Sequence, residues 1–435
     1  MGRLKNFAPI CLLISLSLLS QPAAALEPAG LSGLQFPASD WPFWRGPDQN
    51  GVASAKQTPP TSWSETENVL WRAEVPGRGH SSPVVIGDRV FITSADHERE
   101  VQIVLGLDRA TGKQLWETIV HRGGFETRGK KMNLKATLAS STIASDGSRL
   151  FINFLNDNAV WTTALDLDGK QLWQTRLTDY QVHQGYGSSP TIYKNLVISS
   201  ADNKAGGAIV AMDRTNGEIV WRRERPELPN YPSPVVVKAA GRDQLIMTGC
   251  DLVTSLDPLT GQTIWEIEGA TTECVTTTVT DGKVILTSGG YPDNHISAVA
   301  ADGSGKIVWE NTDREYVPSM LIAKGHVFAI LDAGIATCLN VETGEQIWKE
   351  RLGGTFSSSP VLVGENIYVT SESGKTHIFK ASVEGFQSVA TNSLGSKVFA
   401  TPAICGGQIF TRVSLTADEK TQEYVYCLVD SAATR

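Results

Sequence analysis

Asp108-Arg-Ala-Thr-Gly112-Lys-Gln-Leu-Trp116 decides the fold, because the chain repeats it. The phrase returns as Asp168-Gly169-Lys-Gln-Leu-Trp173, Asp213-Arg-Thr-Asn-Gly217-Glu-Ile-Val-Trp221 and Asp257-Pro-Leu-Thr-Gly261-Gln-Thr-Ile-Trp265. Two more copies are Gly305-Lys-Ile-Val-Trp309 and Asn340-Val-Glu-Thr-Gly344-Glu-Gln-Ile-Trp348. The tryptophans lie about 40 to 57 residues apart, a period that short strands turn into propeller blades.

Outward from the first copy, Ser81-Ser-Pro-Val-Val-Ile86 and Arg89-Val-Phe-Ile-Thr-Ser94 flank a Gly87-Asp88 turn. Ile103 to Asp108 makes a third strand and Gln114 to Ile119 a fourth. β-Branched and aromatic residues alternating between Gly/Asp turns predict hairpins, not helices. Glycine in each Thr-Gly or Asn-Gly pair accepts the positive φ of a tight turn. Each tryptophan then falls on an outer fourth strand, where its ring covers the seam to the next blade.

Eight blade openings are legible: His80-Ser-Ser-Pro83, Ala139-Ser-Ser-Thr142, Gly187-Ser-Ser-Pro190, Tyr231-Pro-Ser-Pro234, Cys274-Val-Thr-Thr277, Val317-Pro-Ser319, Ser357-Ser-Ser-Pro360 and Ala400-Thr-Pro402. The seventh unit is degenerate, with Val389 where tryptophan is expected. The eighth stops before its fourth strand, and Asn68-Val-Leu-Trp71-Arg-Ala-Glu-Val75 is the donor. The expected fold is all-β: an eight-bladed β-propeller of four-stranded antiparallel blades. An N-terminal strand near Trp71 joins the last blade and removes two exposed sheet edges.

The expected organisation is a secretory signal peptide over 1–25, an extended lead-in over 26–67 docking on the propeller, and the propeller over 68–435. Arg3 and Lys5 precede the apolar run Ile10 to Leu19, and Ala23-Ala-Ala25 suits cleavage. Periplasmic or secreted localisation follows. No other stretch is long and apolar enough for a membrane span, and Cys11 sits inside the apolar run, so no lipid anchor is read. In the lead-in, Trp41, Phe43 and Trp44 are expected to pack on the blades.

The formal net charge is −8, and it grows more negative once Arg3 and Lys5 leave with the signal segment. That balance argues against a nucleic-acid surface. Cys250, Cys274, Cys338, Cys405 and Cys427 remain, an odd number that is no disulfide framework. They read as small buried hydrophobes; Cys250 and Cys274, at comparable places in neighbouring repeats, are the one candidate pair.

The Asp-x-x-Thr-Gly-x-x-x-Trp phrases resemble the tryptophan-docking repeats of the pyrroloquinoline-quinone (PQQ)-like propeller superfamily. The eight-unit, signal-bearing layout is similar to the non-enzymatic outer-membrane assembly lipoprotein propeller. The Trp41-Pro-Phe-Trp44-Arg-Gly-Pro47 lead-in is similar to that of secreted planctomycete-type propellers. The resemblance implies one fold and several functions. The reading adopted from it is a scaffold that binds a protein or carbohydrate partner, with no cofactor expected. One alternative is a quinoprotein oxidoreductase acting on alcohols or sugars, which requires PQQ and Ca²⁺; another is a glycan-processing enzyme. The chain lacks the adjacent cysteines of the alcohol-oxidising branch and a Cys-x-x-Cys-His haem motif.

A propeller's natural pocket is the end of its channel, where blade openings converge. The distinctive residues there are His80, His183, Tyr186, Tyr231, Glu273, Tyr291 and His295, with Asp202, Asp251 and Asp332 in following segments. A histidine beside an acid suits acid–base work, or simply ties one opening to the next. Glu273 is placed to face the channel and pair with an arginine or a metal. No zinc-type spacing occurs, while a Ca²⁺ site assembled from separate blades would leave no local signature. The Ser-Ser-Pro openings recur too often to mark a nucleophile. The charged insertion His121 to Asn133 is expected to form an exposed arm over one face.

Overall fold

The computed structural model describes residues 1–2, 32–127, 131–418 and 420–431; the expected signal segment from Arg3 onward, Cys11 included, lies outside the described residues. Eight antiparallel sheets follow one another around a ring. The first blade consists of Val84–Ile86, Arg89–Asp96, Val101–Asp108 and Gln114–Arg122. Blades two to seven repeat that order over residues 144–179, 191–225, 235–268, 279–311, 321–351 and 361–393. The eighth takes three strands from residues 403–428 and its outer strand from Val69–Val75, which pairs antiparallel with Lys420–Leu428. Where other blades have a turn, the chain ends meet: Val429 N–H donates to the Asn68 carbonyl at 2.9 Å. Blade seven departs from four strands, because Val52–Ala53 of the lead-in adds a parallel fifth against Val361–Val363.

The repeated phrase is a docking device. Trp71 lies against Gly112 of the next blade, Trp116 against Gly169, Trp173 against Gly217, Trp221 against Gly261 and Trp309 against Gly344. A Cβ on any of these glycines would meet the ring within 2.7 Å, so glycine serves close approach as well as its positive φ. Most indoles also donate to a turn carbonyl, as Trp71 Nε1 does to Arg109 at 2.8 Å and Trp309 to Val341 at 2.9 Å. Trp265 differs: it rests on Gly303 rather than Gly305 and donates to Gln244 Oε1.

Every docking strand skips one residue just before its tryptophan, a β-bulge that bends the strand and turns the ring inward. The skipped aliphatics, among them Leu70, Leu115, Leu172, Val220, Val308 and Ile347, point to solvent around the rim. The same bulge corrects the seventh unit. Val389 is its exposed bulge residue, and Ala390 holds the docking position. No tryptophan is needed there, since the eighth blade has no third-to-fourth-strand turn to receive one. Trp63 of the lead-in fills this seam instead, buried among Tyr368, Leu394, Val398, Ile409 and Leu428. Asn392 secures it, accepting from Trp63 N–H at 3.2 Å and donating to the Thr61 carbonyl at 3.0 Å.

The blade openings form two arcs of hydrogen bonds inside the ring. Backbone N–H groups of Ser82, Thr142 and Ser189 donate to hydroxyls of Thr142, Ser189 and Ser233 in the following blades, each at 2.9 Å. Those of Thr277, Ser319 and Ser359 donate to Ser319, Ser359 and Thr401 at 2.9–3.0 Å. The repeated hydroxyl therefore satisfies buried backbone donors from blade to blade.

The lead-in crosses the channel end opposite these openings. Trp41 exchanges two backbone hydrogen bonds with Val85, Ser145 N–H donates to the Pro42 carbonyl, and Gln57 donates to the Ile404 carbonyl. Trp41, Phe43 and Arg45 are all buried there. The five described cysteines are free and buried, so Cys250 and Cys274 do not pair. Burial pushes the Cys274 thiol up to about 12. Among the described residues no helix is long and apolar enough to cross a membrane.

Candidate ligand site at the channel mouth

One residue per blade, at equivalent opening positions, faces the channel: His80, Ser140, Gly187, Tyr231, Val275, Val317, Ser357 and Phe399. They enclose a cavity of about 320 Å³ at the mouth, which narrows to about 150 Å³ over the ring of Trp44. The lead-in thus provides the floor. A strap provides part of the roof, because Asn133, Lys135 and Ala136 line the same cavity. Asn133 binds Gln184 through its backbone at 2.8 Å and its side chain at 3.0 Å. Lys135 Nζ reaches across to Glu372 of the seventh blade at 2.7 Å. Of the expected exposed arm, His121 and Arg122 complete the fourth strand of the first blade, and Asn133 is anchored at the mouth.

His80 stacks on Phe399 with centroids 4.3 Å apart. Burial first, then the positive charges of Arg412 and Arg78, push its imidazolium down to about 3. The unfolded chain, with an ordinary histidine near 6.5, binds more protons between those values, so His80 stabilises the fold above pH 6.5 and progressively less toward pH 3. Urea midpoints measured from pH 7 to pH 4 should fall more steeply for the wild type than for His80→Phe; parallel slopes would remove His80 as the cause.

Behind the wall of the mouth runs a polar arc from four successive blade connections, of which Tyr231 and Tyr316 reach the cavity. His183 Nδ1 lies 3.1 Å from Glu273 Oε1 and 3.3 Å from Tyr231 Oη. Tyr316 Oη–H donates to Glu273 Oε2 at 3.3 Å. Glu273 therefore faces an imidazole and a phenol. Burial is the main force raising both phenols above their ordinary range, and the Glu273 charge adds to it.

The other expected residues are scattered. Tyr186 touches the cavity, but its hydroxyl is committed to the Ser200 carbonyl at 2.9 Å. Tyr291 and His295 do not line the mouth. Tyr291 is largely exposed at a strand end, while His295 turns into the fifth blade toward Thr287 Oγ1 at 3.3 Å. Asp202 is fully buried against Arg225 at 3.2 Å and Asn230 at 3.0 Å. Asp251 accepts from Thr272, and Asp332 holds Arg314 and the Tyr316 backbone N–H. Sequence reasoning missed Trp44 as a floor, Tyr316, Phe399, Lys135 and Glu372. Phe399 and Tyr316 had a usable signal, since each stands at or beside the position that singled out His80 and Tyr231.

This channel, its eight blades and their docking tryptophans define a propeller of the PQQ-quinoprotein type. Residues 37–124, 100–349 and 292–385 match the family model described as outer membrane protein assembly factor BamB, and the chain belongs to that family. It is 25% identical to the outer membrane protein assembly factor BamB of Burkholderia pseudomallei, over 82% of this chain and 89% of that protein. It is 23% identical to a tetrathionate hydrolase of Acidithiobacillus ferrooxidans, over 71% of this chain and 66% of the enzyme. A polyvinylalcohol dehydrogenase of Sphingopyxis sp. is 28% identical over 62% of this chain, which spans only 39% of that protein. Among solved structures, quinohemoprotein alcohol dehydrogenase from Comamonas testosteroni aligns with a TM-score of 0.67 at 13% identity, covering 90% of this chain and 80% of that one. BamB from Moraxella catarrhalis aligns with a TM-score of 0.57 at 15% identity, covering 82% and 96%. The structural likenesses establish the fold.

PQQ is a planar tricarboxylate, and with Ca²⁺ it needs cations for its carboxylates and oxygen ligands for the metal. At this mouth Lys135 is engaged by Glu372, and Glu273 by His183 and Tyr316. Among the described residues, no group of three His, Cys, Asp or Glu is arranged to hold a metal. As placed, the residues do not fit the pair; the Lys135–Glu372 ion pair and the Glu273 contacts would have to open.

Proposed function

We propose that the protein is an extracytoplasmic propeller that holds a neutral, hydroxyl-rich molecule, a carbohydrate or polyol, at its channel mouth. The character of the lining carries this reading. The Tyr231, Tyr316, Phe399 and Trp44 rings supply apolar faces, the Asn133 and Gln184 amides and Ser140 and Ser357 hydroxyls retain hydrogen-bonding capacity beyond their protein partners, and the Lys135 charge is matched by Glu372. Rings with a few placed polar groups suit a ligand that is both hydroxylated and carbon-framed. Two relatives are named for hydroxyl compounds, polyvinylalcohol dehydrogenase and alcohol dehydrogenase. Membership of the assembly-factor family supports the location, and also a protein partner on the outer surface.

Calorimetric titration with monosaccharides and polyvinyl alcohol oligomers should give saturable binding that Tyr231→Ala weakens about tenfold or more. No saturable binding across the series would overturn the reading. A second reading, PQQ-dependent oxidation of the held molecule once Lys135 and Glu273 leave their present partners, is supported by the likeness to quinohemoprotein alcohol dehydrogenase and the relation to polyvinylalcohol dehydrogenase. Tight uptake of PQQ with Ca²⁺ would establish it, and absence of uptake would leave the binding role alone.

A further inference from the structure

We infer that Tyr231 and Tyr316 form a donor–acceptor pair that recognises one free hydroxyl group of the ligand, with Glu273 setting the direction of both hydrogen bonds. The inference rests on the channel mouth being the ligand site.

An ionised carboxylate only accepts hydrogen bonds, so the groups that bind Glu273 must donate to it. Tyr316 gives its phenolic proton to Glu273 Oε2 at 3.3 Å. The proton on His183 is placed on Nδ1 by the same rule, because Nδ1 lies 3.1 Å from Glu273 Oε1. That N–H also lies 3.3 Å from Tyr231 Oη, so it is shared between the carboxylate and the phenol oxygen. The Tyr231 oxygen thus faces the His183 N–H, and its own proton is directed away from it. Both tyrosines line the cavity.

The two phenols therefore present opposite faces to a ligand. Tyr231 offers a proton. Tyr316, whose proton is taken by Glu273, offers an oxygen lone pair. A hydroxyl fits both at once, accepting from Tyr231 and donating to Tyr316. An ether or a carbonyl fits only Tyr231, and an ammonium fits only Tyr316. The four residues come from four successive blade connections and have no counterpart in the repeat phrase, so they are among the residues that break the repetition. No bond is made or broken in this step.

Matched probes read the assignment directly: polyvinyl alcohol oligomers against poly(vinyl methyl ether) of the same length, and methyl glucoside against its per-O-methylated form. The wild type should bind each hydroxylated probe about tenfold or more tighter than its ether. Tyr316→Phe should weaken the alcohol and leave the ether unchanged, while Tyr231→Phe should weaken both. In Glu273→Gln the amide can donate to Tyr316, so the preference should shrink to within about threefold while the circular dichroism stays that of the wild type. If alcohol and ether bind the wild type equally, and Tyr231→Ala abolishes both, the donor–acceptor pair is wrong and the mouth remains the site. If no probe binds, both readings fall.

Discussion

Trp63→Ala should lower the unfolding free energy by about 3–5 kcal/mol, the usual cost of emptying a large aromatic site in a packed interior. Trp63 is the one tryptophan at the seam of blades seven and eight that comes from outside the repeats. Its ring is buried between the last complete blade and the strands that close the circle. It also holds Asn392 across the same gap. The loss should exceed that of an outward-facing rim substitution such as Leu172→Ala, expected to stay within about 0.5 kcal/mol. Urea unfolding of the two variants decides it. Equal midpoints would mean that the closing strand alone, Val69–Val75, holds the ring shut.

Arg412→Met should cost a comparable amount, about 3–5 kcal/mol, for a different reason. Arg412 and Glu423 form a buried ion pair in the eighth blade, with Arg412 Nε 2.6 Å from Glu423 Oε2. Arg412 also donates to the Thr93 carbonyl at 2.7 Å and to Ser81 Oγ at 3.2 Å in the first blade. Glu423 accepts from Gly79 N–H at 3.2 Å. The pair therefore stitches last blade to first beside His80. Removing one partner strands the other charge without water; removing both, in Arg412→Met with Glu423→Leu, should recover most of the loss. A double-mutant cycle that comes out additive would show that the two side chains act independently.

Much of the fold was legible because blade packing is local and repetitive. A glycine in the third turn and a tryptophan on the fourth strand are the two halves of each seam, and both lie in the same nine-residue phrase. The closing strand was legible because Trp71 carries that phrase's second half without its first. The bulge was not legible, since Leu115-Trp116 reads as plain alternation until the partner strand shows a residue left over. That is why Val389 looked like the missing tryptophan, when Ala390 holds the place. Trp63 was unreadable for a related reason, as it fills a gap made by strands far from it in sequence.

The site was legible only in pieces. Opening positions pointed to His80 and Tyr231, because every blade delivers that position to the channel. His183 and Glu273 were each visible as unusual residues, but their pairing joins connections two blades apart, and no spacing encodes it. Tyr291 and His295 show the limit from the other side. They sit close in sequence to a blade top, and strand direction sends one to solvent and the other into the blade. Trp44 and Lys135 reach the mouth from below and above, from segments outside the blade repeat.

The proposed function places ligand binding in the channel mouth and not on the rim. Titrating polyvinyl alcohol oligomers into wild type, Tyr231→Ala and the rim variant Leu172→Asp tests it most directly. Wild type and Leu172→Asp should bind with equal affinity, and Tyr231→Ala should lose about tenfold or more. Binding that survives in Tyr231→Ala and disappears in Leu172→Asp would contradict it.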